Sequence, residues 1–244
     1  MNAPIYSGHN IETAHPGAML ETVETVTHYP NAEVPVFEPS SSRIEATRIA
    51  QRGLDFIAAP LLLLISFPLY LFIAILISID SRGPVLFIQK RIGKNGKEFS
   101  FYKFRSMVHN AEQLRPALQA MNERDGPVFK MKNDPRVTRV GRLIRKYSLD
   151  ELPQIVNVLK GEMSLVGQRP ALPHEVAQYT PRQLQRLAVT PGVTGLWQVS
   201  GRSDMCFEQS VDLDLHYIKN QSLPLNLRIL IMTIPAVLRA EGAC

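Results

Sequence analysis

The sequence predicts an α/β protein in which a membrane-embedded N-terminal helix is joined to a small, mostly helical domain with a short β-hairpin and interfacial helices. Three observations lead to this fold class. Residues 56–79 form a run of 24 residues without an Asp, Glu, Lys or Arg. The stretch after it has strand-like segments on both sides of the turn sequence at residues 94–97, which is typical of a hairpin. Much of the remaining chain has helical periodicity or the composition of loops.

The apolar run is long enough to enter a membrane. As a helix it would measure roughly 36 Å, against about 30 Å for a hydrocarbon core. A buried core helix is the alternative, but soluble helices are rarely apolar on every face over such a length. Pro60 and Pro68 interrupt the run, and Pro68 lies near its centre, where a proline removes one backbone hydrogen bond and kinks a helix. Ser66 can satisfy a freed backbone group beside it.

Basic residues lie on both sides of the run. Because basic flanks mark the cytoplasmic side of short segments, a helix–break–helix that enters and leaves on that side fits both flanks. The sequence therefore predicts that residues 43–82 form a re-entrant membrane helix, with a plain kinked span as the alternative. The flanking cations are Arg43, Arg48 and Arg52 before the run, and Arg82, Lys90, Arg91 and Lys94 after it.

Residues 1–42 differ in composition from the rest of the chain. They contain five glutamates, no Lys or Arg, and many Pro, Thr and Ser, which predicts a disordered acidic tail. They lack the basic and apolar regions of a signal peptide, so we expect the folded part to stay in the cytosol. Residues 83–244 are then expected to form a single cytoplasmic domain.

The charge and cysteine content narrow the class of partner. The net charge is +5 although the tail is acidic, so a basic body adjoins the apolar run. This combination suits an anionic membrane surface or a phosphate-rich substrate. No nucleic-acid-binding module is recognisable, so we expect no nucleic acid partner. The two cysteines, Cys206 and Cys244, have no pairable spacing, which argues for a reducing compartment and against a disulfide scaffold or a cysteine zinc site.

The predicted hairpin consists of strands over Val85–Lys90 and Phe99–Met107. Alternation along the second strand places Phe101, Lys103 and Arg105 on one face. Two cations beside an aromatic ring are commonly a solvated face, but close to the membrane exit Lys103 and Arg105 are also candidates for phosphate contacts. Helices are predicted over Ala111–Met121 and Arg136–Lys146, with a loop at residues 133–135 between them.

The stretch that follows carries a pair of acids. Ser148 and Glu151 fit an S-x-x-E capping box, whereas Pro153 fits better with a helix that starts at Asp150. Either start places Asp150 in a first turn, where exposed N–H groups stabilise a carboxylate and attract phosphate. A simple cap is the commonest use of Asp there. The adjacent Glu151 and the surrounding arginines favour a functional pair; these arginines are Arg142, Arg145 and Arg169.

Three downstream stretches give weaker signals. Residues 192–202 predict a loop followed by a short strand. Asp212-Leu213-Asp214 superficially matches the D-x-D metal motif of nucleotide-sugar glycosyltransferases, but its helical context favours a solvated helix face. Leu223–Leu238 is apolar but too short to span a membrane cleanly, so it predicts an interfacial helix or a core element.

From Gln51 onward the sequence resembles the bacterial sugar transferases, which are monotopic polyprenyl-phosphate hexose-1-phosphate transferases. Within that family it looks most like the ExoY type, which initiates exopolysaccharide synthesis. The likeness rests on a mid-run Pro68 and on several motifs in the right order: QRGLDF, YKFRSM, DPRVTRVGRLIRKYSLDELPQ, NVLKGEMSLVGQRP and PGVTGLWQVSGR. It covers about four-fifths of the chain.

The resemblance implies a specific reaction and site. Asp150 and Glu151 fall on the family's catalytic dyad, with Asp150 as nucleophile and Mg²⁺ contact. The implied donor is a UDP-sugar, the acceptor undecaprenyl phosphate and the released product UMP, by way of a phosphosugar-aspartyl intermediate. The implied place is the cytoplasmic face of the bacterial inner membrane, among its lipids. Arg145, Arg169 and Arg202 fall on basic positions that would bind phosphate.

The resemblance leaves several points open. Galactose and glucose are the leading sugars, and no residue decides between them; a homo-oligomer also remains open. Two positions depart from the family pattern: Phe67 separates Ser66 from Pro68, and Gln168 stands before Arg169 where the family has proline. Two rival hypotheses are a membrane-tethered UDP-sugar-binding or regulatory protein, in which the dyad is only a cap, and a hydrolase that uses the same dyad.

Overall fold

The computed structural model describes residues 42–123, 127–129, 131, 133–201 and 205–239. The predicted acidic tail, apart from its last residue, and the predicted phosphate-binding Arg202 lie outside these ranges. The boundaries proposed for the three parts of the chain therefore stay predictions.

Helices and short strands alternate along the described ranges. In chain order they are α1 (Ser42–Asp80), β1 (Leu86–Ile92), β2 (Glu98–Phe104), α2 (Ala111–Leu118), α3 (Arg139–Lys146), α4 (Ile155–Lys160), β3 (Ser164–Val166), α5 (Pro173–Val176), α6 (Pro181–Leu184), β4 (Gly192–Thr194), α7 (Leu196–Ser200), α8 (Phe207–Lys219) and α9 (Leu223–Arg239). Short 3₁₀ segments occupy Lys94–Gly96, Gln119–Met121, Leu149–Gln154 and Gln185–Ala188.

The predicted hairpin is confirmed. Strands β1 and β2 pair antiparallel, from Leu86 opposite Phe104 to Ile92 opposite Glu98. Asn95 and Gly96 have positive φ angles of 56° and 75°, the conformation that Asn-Gly adopts readily in tight turns. The observed strands differ from the predicted ones by a few residues at their ends.

A second pair of strands was not predicted. β3 and β4 pair in parallel, with Ser164 opposite Gly192, so the predicted order of loop then strand in residues 192–202 is wrong: strand β4 comes first and helix α7 follows. A Cβ on Gly192 would lie 2.0 Å from the backbone nitrogen of Gly167, so only glycine allows this close approach. A three-residue strand that begins with glycine offers no alternation to detect.

The first part of α1 is fastened to the folded domain by polar side chains. Gln51 Nε2 donates to Ser164 Oγ at 2.5 Å and to the carbonyl of Val166 at 2.7 Å. The carboxylate of Asp55 accepts from the backbone nitrogen of Leu165 at 2.9 Å. These buried bonds tie the helix to β3.

The last part of α1 contacts another side of the same domain. Ile73 and Ile77 are buried in one cluster with Phe104 of β2. Asp80 accepts a hydrogen bond from the backbone nitrogen of Val140 in the first turn of α3 at 3.0 Å. Both ends of α1 therefore contact one folded domain, although about 37 Å of helix at about 1.5 Å per residue separates the two polar attachments.

Helix α1 continues through both of its prolines, so the predicted interruption at Pro68 is not observed in the backbone. Ser66 Oγ donates to the carbonyl of Leu62 at 2.6 Å, and a single proline removes only one hydrogen bond. The re-entrant course stays a prediction.

In the described ranges α1 is the one helix long and apolar enough to cross a membrane. Its exposed apolar side chains include Phe56, Ile57, Leu61, Leu64, Ile65, Phe67, Phe72, Ile75 and Ile79.

Helix α9 has two apolar faces. One face contacts β3 and β4 and contains Ile229, which is fully buried. The other is a row of exposed apolar residues, which agrees with the predicted interfacial helix. The members of this row are Leu227, Ile231, Ile234 and Leu238.

Candidate active site

A cleft of about 960 Å³ lies between the hairpin, the 3₁₀ segment Leu149–Gln154 and the turn at residues 169–171. Six of the residues predicted for the site line it, although they come from four separate parts of the sequence. They are Lys103, Arg105, Arg145, Asp150, Glu151 and Arg169.

The backbone places Asp150 where the sequence predicted it, but by a different local structure. Ser148 adopts a left-handed conformation, with φ 52°, and makes no capping bond through its side chain. The predicted capping box is therefore wrong. A 3₁₀ segment runs from Leu149 to Gln154 with Pro153 inside it, and α4 follows. Asp150 lies in the first turn of this segment, as expected from either proposed start.

Asp150 is a desolvated carboxylate that faces several cations. It is 8% exposed. Burial, reinforced by Glu151, raises its pKa from 3.8 to about 6, against the opposing effects of Lys103, Arg145 and Arg169. No residue in the described ranges donates a hydrogen bond to it. The group is thus ionised at neutral pH, and the described residues leave its oxygens open to a ligand.

The neighbouring charges are held close to this carboxylate. Burial lowers the pKa of Lys103 to about 8, while the negative charge of Asp150 opposes the shift. Arg169 Nη1 lies 3.1 Å from Glu151 Oε1. This ion pair joins the second acid of the predicted dyad to the arginine of the 169–171 turn.

Arg105 differs from the other predicted phosphate ligands in that its guanidinium is hydrogen-bonded to backbone carbonyls. Its Nη2 donates to the carbonyl of Ser81 at 2.6 Å, and its Nη1 donates to the carbonyl of Pro84. These bonds fasten the chain where it leaves α1. Arg105 touches the cleft, but its hydrogen bonds favour a structural role over the phosphate contact that was predicted.

The Asp212-Leu213-Asp214 sequence lies on α8, and its two acids have different environments. Asp212 is exposed and pairs with Arg182, as predicted for a solvated face. Asp214 is 1% exposed, and both Nε and Nη2 of Arg186 lie 2.9 Å from its Oδ2. The prediction is wrong for Asp214, because residues two positions apart lie on different faces of a helix.

Asp150 fits a magnesium site of the kind that substrate phosphates complete. No group of three or more His, Cys, Asp or Glu side chains is found in the part of the chain that the structure describes. Mg²⁺ is commonly held by one or two carboxylates together with phosphate oxygens. Asp150 would hold the ion, whereas Glu151 is engaged by Arg169.

Two polar residues of the cleft were missed as site residues. Gln89 and Arg91 of β1 both line it, and Arg91 had been interpreted only as part of the basic flank of the apolar run. The signal that could have found them is the strand alternation that identified Lys103, extended to the partner strand.

The fold and the cleft define a membrane-associated protein with an acid–cation site beside a long apolar helix. The chain belongs to the bacterial sugar transferase family, whose model matches residues 46–240.

Three relatives illustrate the match. The galactosyl transferase CpsE of Streptococcus agalactiae is 46% identical over 80% of this chain and 43% of its own length. The undecaprenyl-phosphate galactose phosphotransferase of Salmonella typhimurium is 43% identical over 81% of this chain and 42% of its own length. The exopolysaccharide production protein ExoY of Rhizobium meliloti is 41% identical over 80% of this chain and 88% of its own length. The chain thus spans less than half of the first two relatives and most of the third, which confirms the resemblance to the ExoY type.

Proposed function

We propose that the protein is a membrane phosphoglycosyl transferase. It moves hexose-1-phosphate from a UDP-sugar, with galactose or glucose as the hexose, to undecaprenyl phosphate and releases UMP, which initiates exopolysaccharide synthesis. The observation that carries this proposal is the position of Asp150, a buried carboxylate facing Lys103, Arg145 and Arg169 in one cleft. The name of the Salmonella relative supports undecaprenyl phosphate as the acceptor and galactose as a hexose, and the name of the Rhizobium relative supports a role in exopolysaccharide production.

In the first step an oxygen of Asp150 attacks the phosphorus next to the sugar. The bond from that phosphorus to the bridging oxygen breaks, and UMP leaves with the electron pair. The product on the protein is a phosphosugar-aspartyl group. A carboxylate is a weak nucleophile toward an anionic diphosphate, so positive charge near the reacting phosphate is required. Lys103 and Arg169 supply it in a site where burial strengthens electrostatic interactions.

In the second step an oxygen of undecaprenyl phosphate attacks the same phosphorus. The bond to Asp150 breaks, the carboxylate is regenerated, and the sugar is left on a polyprenyl diphosphate. Both steps exchange one P–O bond for another. The two bulky substrates, one water-soluble and one lipid, then need not occupy the cleft together.

We propose Mg²⁺ as the cofactor, which Asp150 would hold. The bound ion would supply neutralisation of phosphate charge and stabilisation of the departing oxygen. The contributions of the chain itself are to orient the nucleophile in the first turn of the 3₁₀ segment and to bind phosphate through its cations.

The contacts of α1 support a helix that enters and leaves on one side of the membrane. Gln51 and Asp55 at one end and Asp80 at the other all bond to the same domain. A helix that crossed the bilayer would place these ends on opposite sides. We therefore infer that α1 is re-entrant at the bacterial inner membrane, with its exposed apolar side chains in lipid and the domain on the cytoplasmic face.

This topology predicts the labelling of two introduced cysteines. In a Cys206→Ser, Cys244→Ser background, Ala46→Cys and Arg82→Cys should both be shielded from a membrane-impermeant thiol reagent in intact cells. Both should react after the cells are opened, which serves as the control. Labelling of only one of the two in intact cells would instead establish a bitopic span.

The site also predicts a bell-shaped dependence of turnover on pH. Because the folded-state pKa of Asp150 is raised to about 6, the nucleophile is protonated, and turnover falls, as pH drops through that value. Because the pKa of Lys103 is lowered to about 8, a phosphate-binding charge is lost as pH rises past it. Measured kcat/KM should therefore be highest between the two. Arginine cannot be deprotonated in proteins, so Lys103→Arg should extend activity to higher pH. An unchanged loss of activity at alkaline pH would show that Lys103 is not the group responsible for it.

The proposed function is tested by measuring UMP release and formation of lipid-linked sugar. UDP-galactose, UDP-glucose and their N-acetyl forms should be compared, each with and without undecaprenyl phosphate. Multiple turnovers that need the lipid acceptor support the transferase. Multiple turnovers without acceptor would indicate the hydrolase, and binding without UMP release would indicate the regulatory protein.

A further inference from the structure

The face of β1 that borders the cleft carries two polar residues that the proposed chemistry does not use. In the antiparallel pair, Phe87 lies opposite Lys103 and Gln89 lies opposite Phe101. Residues directly opposite each other share one face of the pair. Gln89 and Arg91 therefore lie on the same face as Lys103, and all three line the cleft.

Arg91 is a buried cation held by neutral groups. It is 7% exposed, its Nη1 donates to the carbonyl of Pro170 at 3.0 Å, and its guanidinium lies 5.2 Å from the centre of the Phe101 ring. No carboxylate in the described ranges forms an ion pair with it. Burial, with a contribution from Arg169, lowers its pKa to about 10, so it is charged at neutral pH. The strand thus adds a fixed positive charge beside the Arg169 turn.

Arg91 also determines which way the amide of Gln89 faces. Its Nη2 lies 3.2 Å from Gln89 Oε1. A guanidinium has only donors, so the amide oxygen must face Arg91 and the amide nitrogen must point away from it. No described residue accepts a hydrogen bond from that nitrogen. Two N–H donors are therefore left at the wall of the cleft.

We propose that Gln89 donates from its amide nitrogen to a phosphate oxygen of the ligand, and that Arg91 is the positioning residue that orients this amide. Lys103, Arg91 and Arg169 make this region of the cleft attractive to an anion, and glutamine amides commonly donate to phosphate. The phosphate belongs either to the UDP-sugar or to the polyprenyl acceptor. The choice of these two ligands rests on the proposed function, whereas the phosphate contact of Gln89 does not.

The test uses Gln89→Glu in the full-length protein. Glutamate can still accept from Arg91, but it loses both donors and adds a negative charge. We expect at least about a tenfold rise in the Kd for UDP, measured by calorimetry, or in the KM for undecaprenyl phosphate. Whichever constant rises identifies the phosphate. Gln178→Glu, the same change at an exposed residue outside the cleft, is the matched control and should change neither constant.

Two results would overturn the assignment of Gln89. In one, both constants stay within twofold of wild type. In the other, affinity falls for UDP-galactose but not for UDP, since the contact would then be to the sugar. If Gln89→Glu melts below wild type, the same comparison is made with Gln89→Met. Binding of UDP requires no transfer. A wild-type protein that binds UDP but releases no UMP from UDP-galactose or UDP-glucose in the presence of undecaprenyl phosphate therefore contradicts the transferase and leaves this test intact.

The orienting role of Arg91 is tested by Arg91→Lys. Lysine keeps the charge but lacks the rigid fork that holds two acceptors at once. We expect a severalfold rise in the constant that Gln89→Glu raises, whether the Kd for UDP or the KM for undecaprenyl phosphate. We expect little change in kcat. Wild-type constants in Arg91→Lys would show that the amide needs no orienting partner and would overturn this role.

Discussion

Asp150→Asn is expected to abolish transfer, with a loss of several powers of ten in kcat. The amide cannot form the phosphosugar-aspartyl bond and is a poor ligand for Mg²⁺, so the loss of a nucleophile is nearly complete. If Asp150 were only a cap in the first turn of its segment, Asn would be among the best replacements. The same substitution therefore has opposite outcomes under the two hypotheses.

The measurement is UMP release together with formation of lipid-linked sugar, alongside a thermal melt. Asp212→Asn is the control, because Asp212 is an exposed acid in an ion pair on α8 and should retain wild-type turnover. An Asp150→Asn protein that kept more than about a tenth of wild-type turnover would exclude the covalent mechanism.

The second large effect concerns stability, and it separates two buried carboxylates with similar titration. Burial raises the pKa of both Asp150 and Asp214 to about 6. Asp214, however, is ion-paired with Arg186, whose Nη1 also donates to Tyr179. Asp214→Asn leaves a buried arginine without its counterion, which should cost about 3–5 kcal/mol. Asp150→Asn removes a carboxylate whose ionisation is unfavourable in the folded state. The substitution should therefore raise the free energy of unfolding by about 1–3 kcal/mol at neutral pH.

The dependence on pH follows from the direction of the Asp150 shift. A folded-state pKa above the unfolded value favours the protonated form, so the stabilisation is present at low pH and is lost as pH rises from about 4 to 6. Ionised Asp150 therefore lowers stability at neutral pH. The advantage of Asp150→Asn should be near zero at pH 4 and largest above pH 6.

Urea unfolding of the wild type and the two variants, at pH 4 and pH 7, measures the expected loss of stability in Asp214→Asn and the expected gain in Asp150→Asn. Asp212→Asn again serves as the exposed control, because its ion pair with Arg182 lies on the surface, and its stability should stay within about 0.5 kcal/mol of wild type. An Asp150→Asn protein less stable than wild type at neutral pH would show that the ionised carboxylate contributes to the fold, which contradicts the expected sign.

Local signals in the sequence predicted much of the fold. The apolar run, the Asn95-Gly96 turn and the alternation of β2 each depend on residues close in the chain, and the structure has the corresponding helix and hairpin. The apolar composition of Leu223–Leu238 was also visible in the sequence and predicted an interfacial helix or a core element. The predicted pair Asp150 and Glu151 lies with Lys103 and Arg169 in the cleft, as expected from motifs that bring charged residues together.

The differences arise where distant segments decide the structure. The left-handed Ser148 replaces a capping box that the local pattern favoured. Asp214 is buried because Arg186, far away in the chain, provides its counterion. Arg105 is bound to carbonyls at the end of α1, and the pairing of β3 with β4 depends on a close contact between Gly192 in β4 and Gly167 just after β3. None of these contacts leaves a periodic signal in the sequence.

The most direct test of the covalent mechanism is to look for the phosphosugar on Asp150. The protein should be incubated with Mg²⁺ and UDP-galactose or UDP-glucose without lipid acceptor, then analysed by intact-protein and peptide mass spectrometry. The mechanism predicts a mass increase of one hexose phosphate on the peptide that contains Asp150, release of one UMP per protein, and loss of the adduct on adding undecaprenyl phosphate. Transfer to lipid by the wild type with no adduct at Asp150, even at the earliest times sampled by rapid quenching, would contradict it.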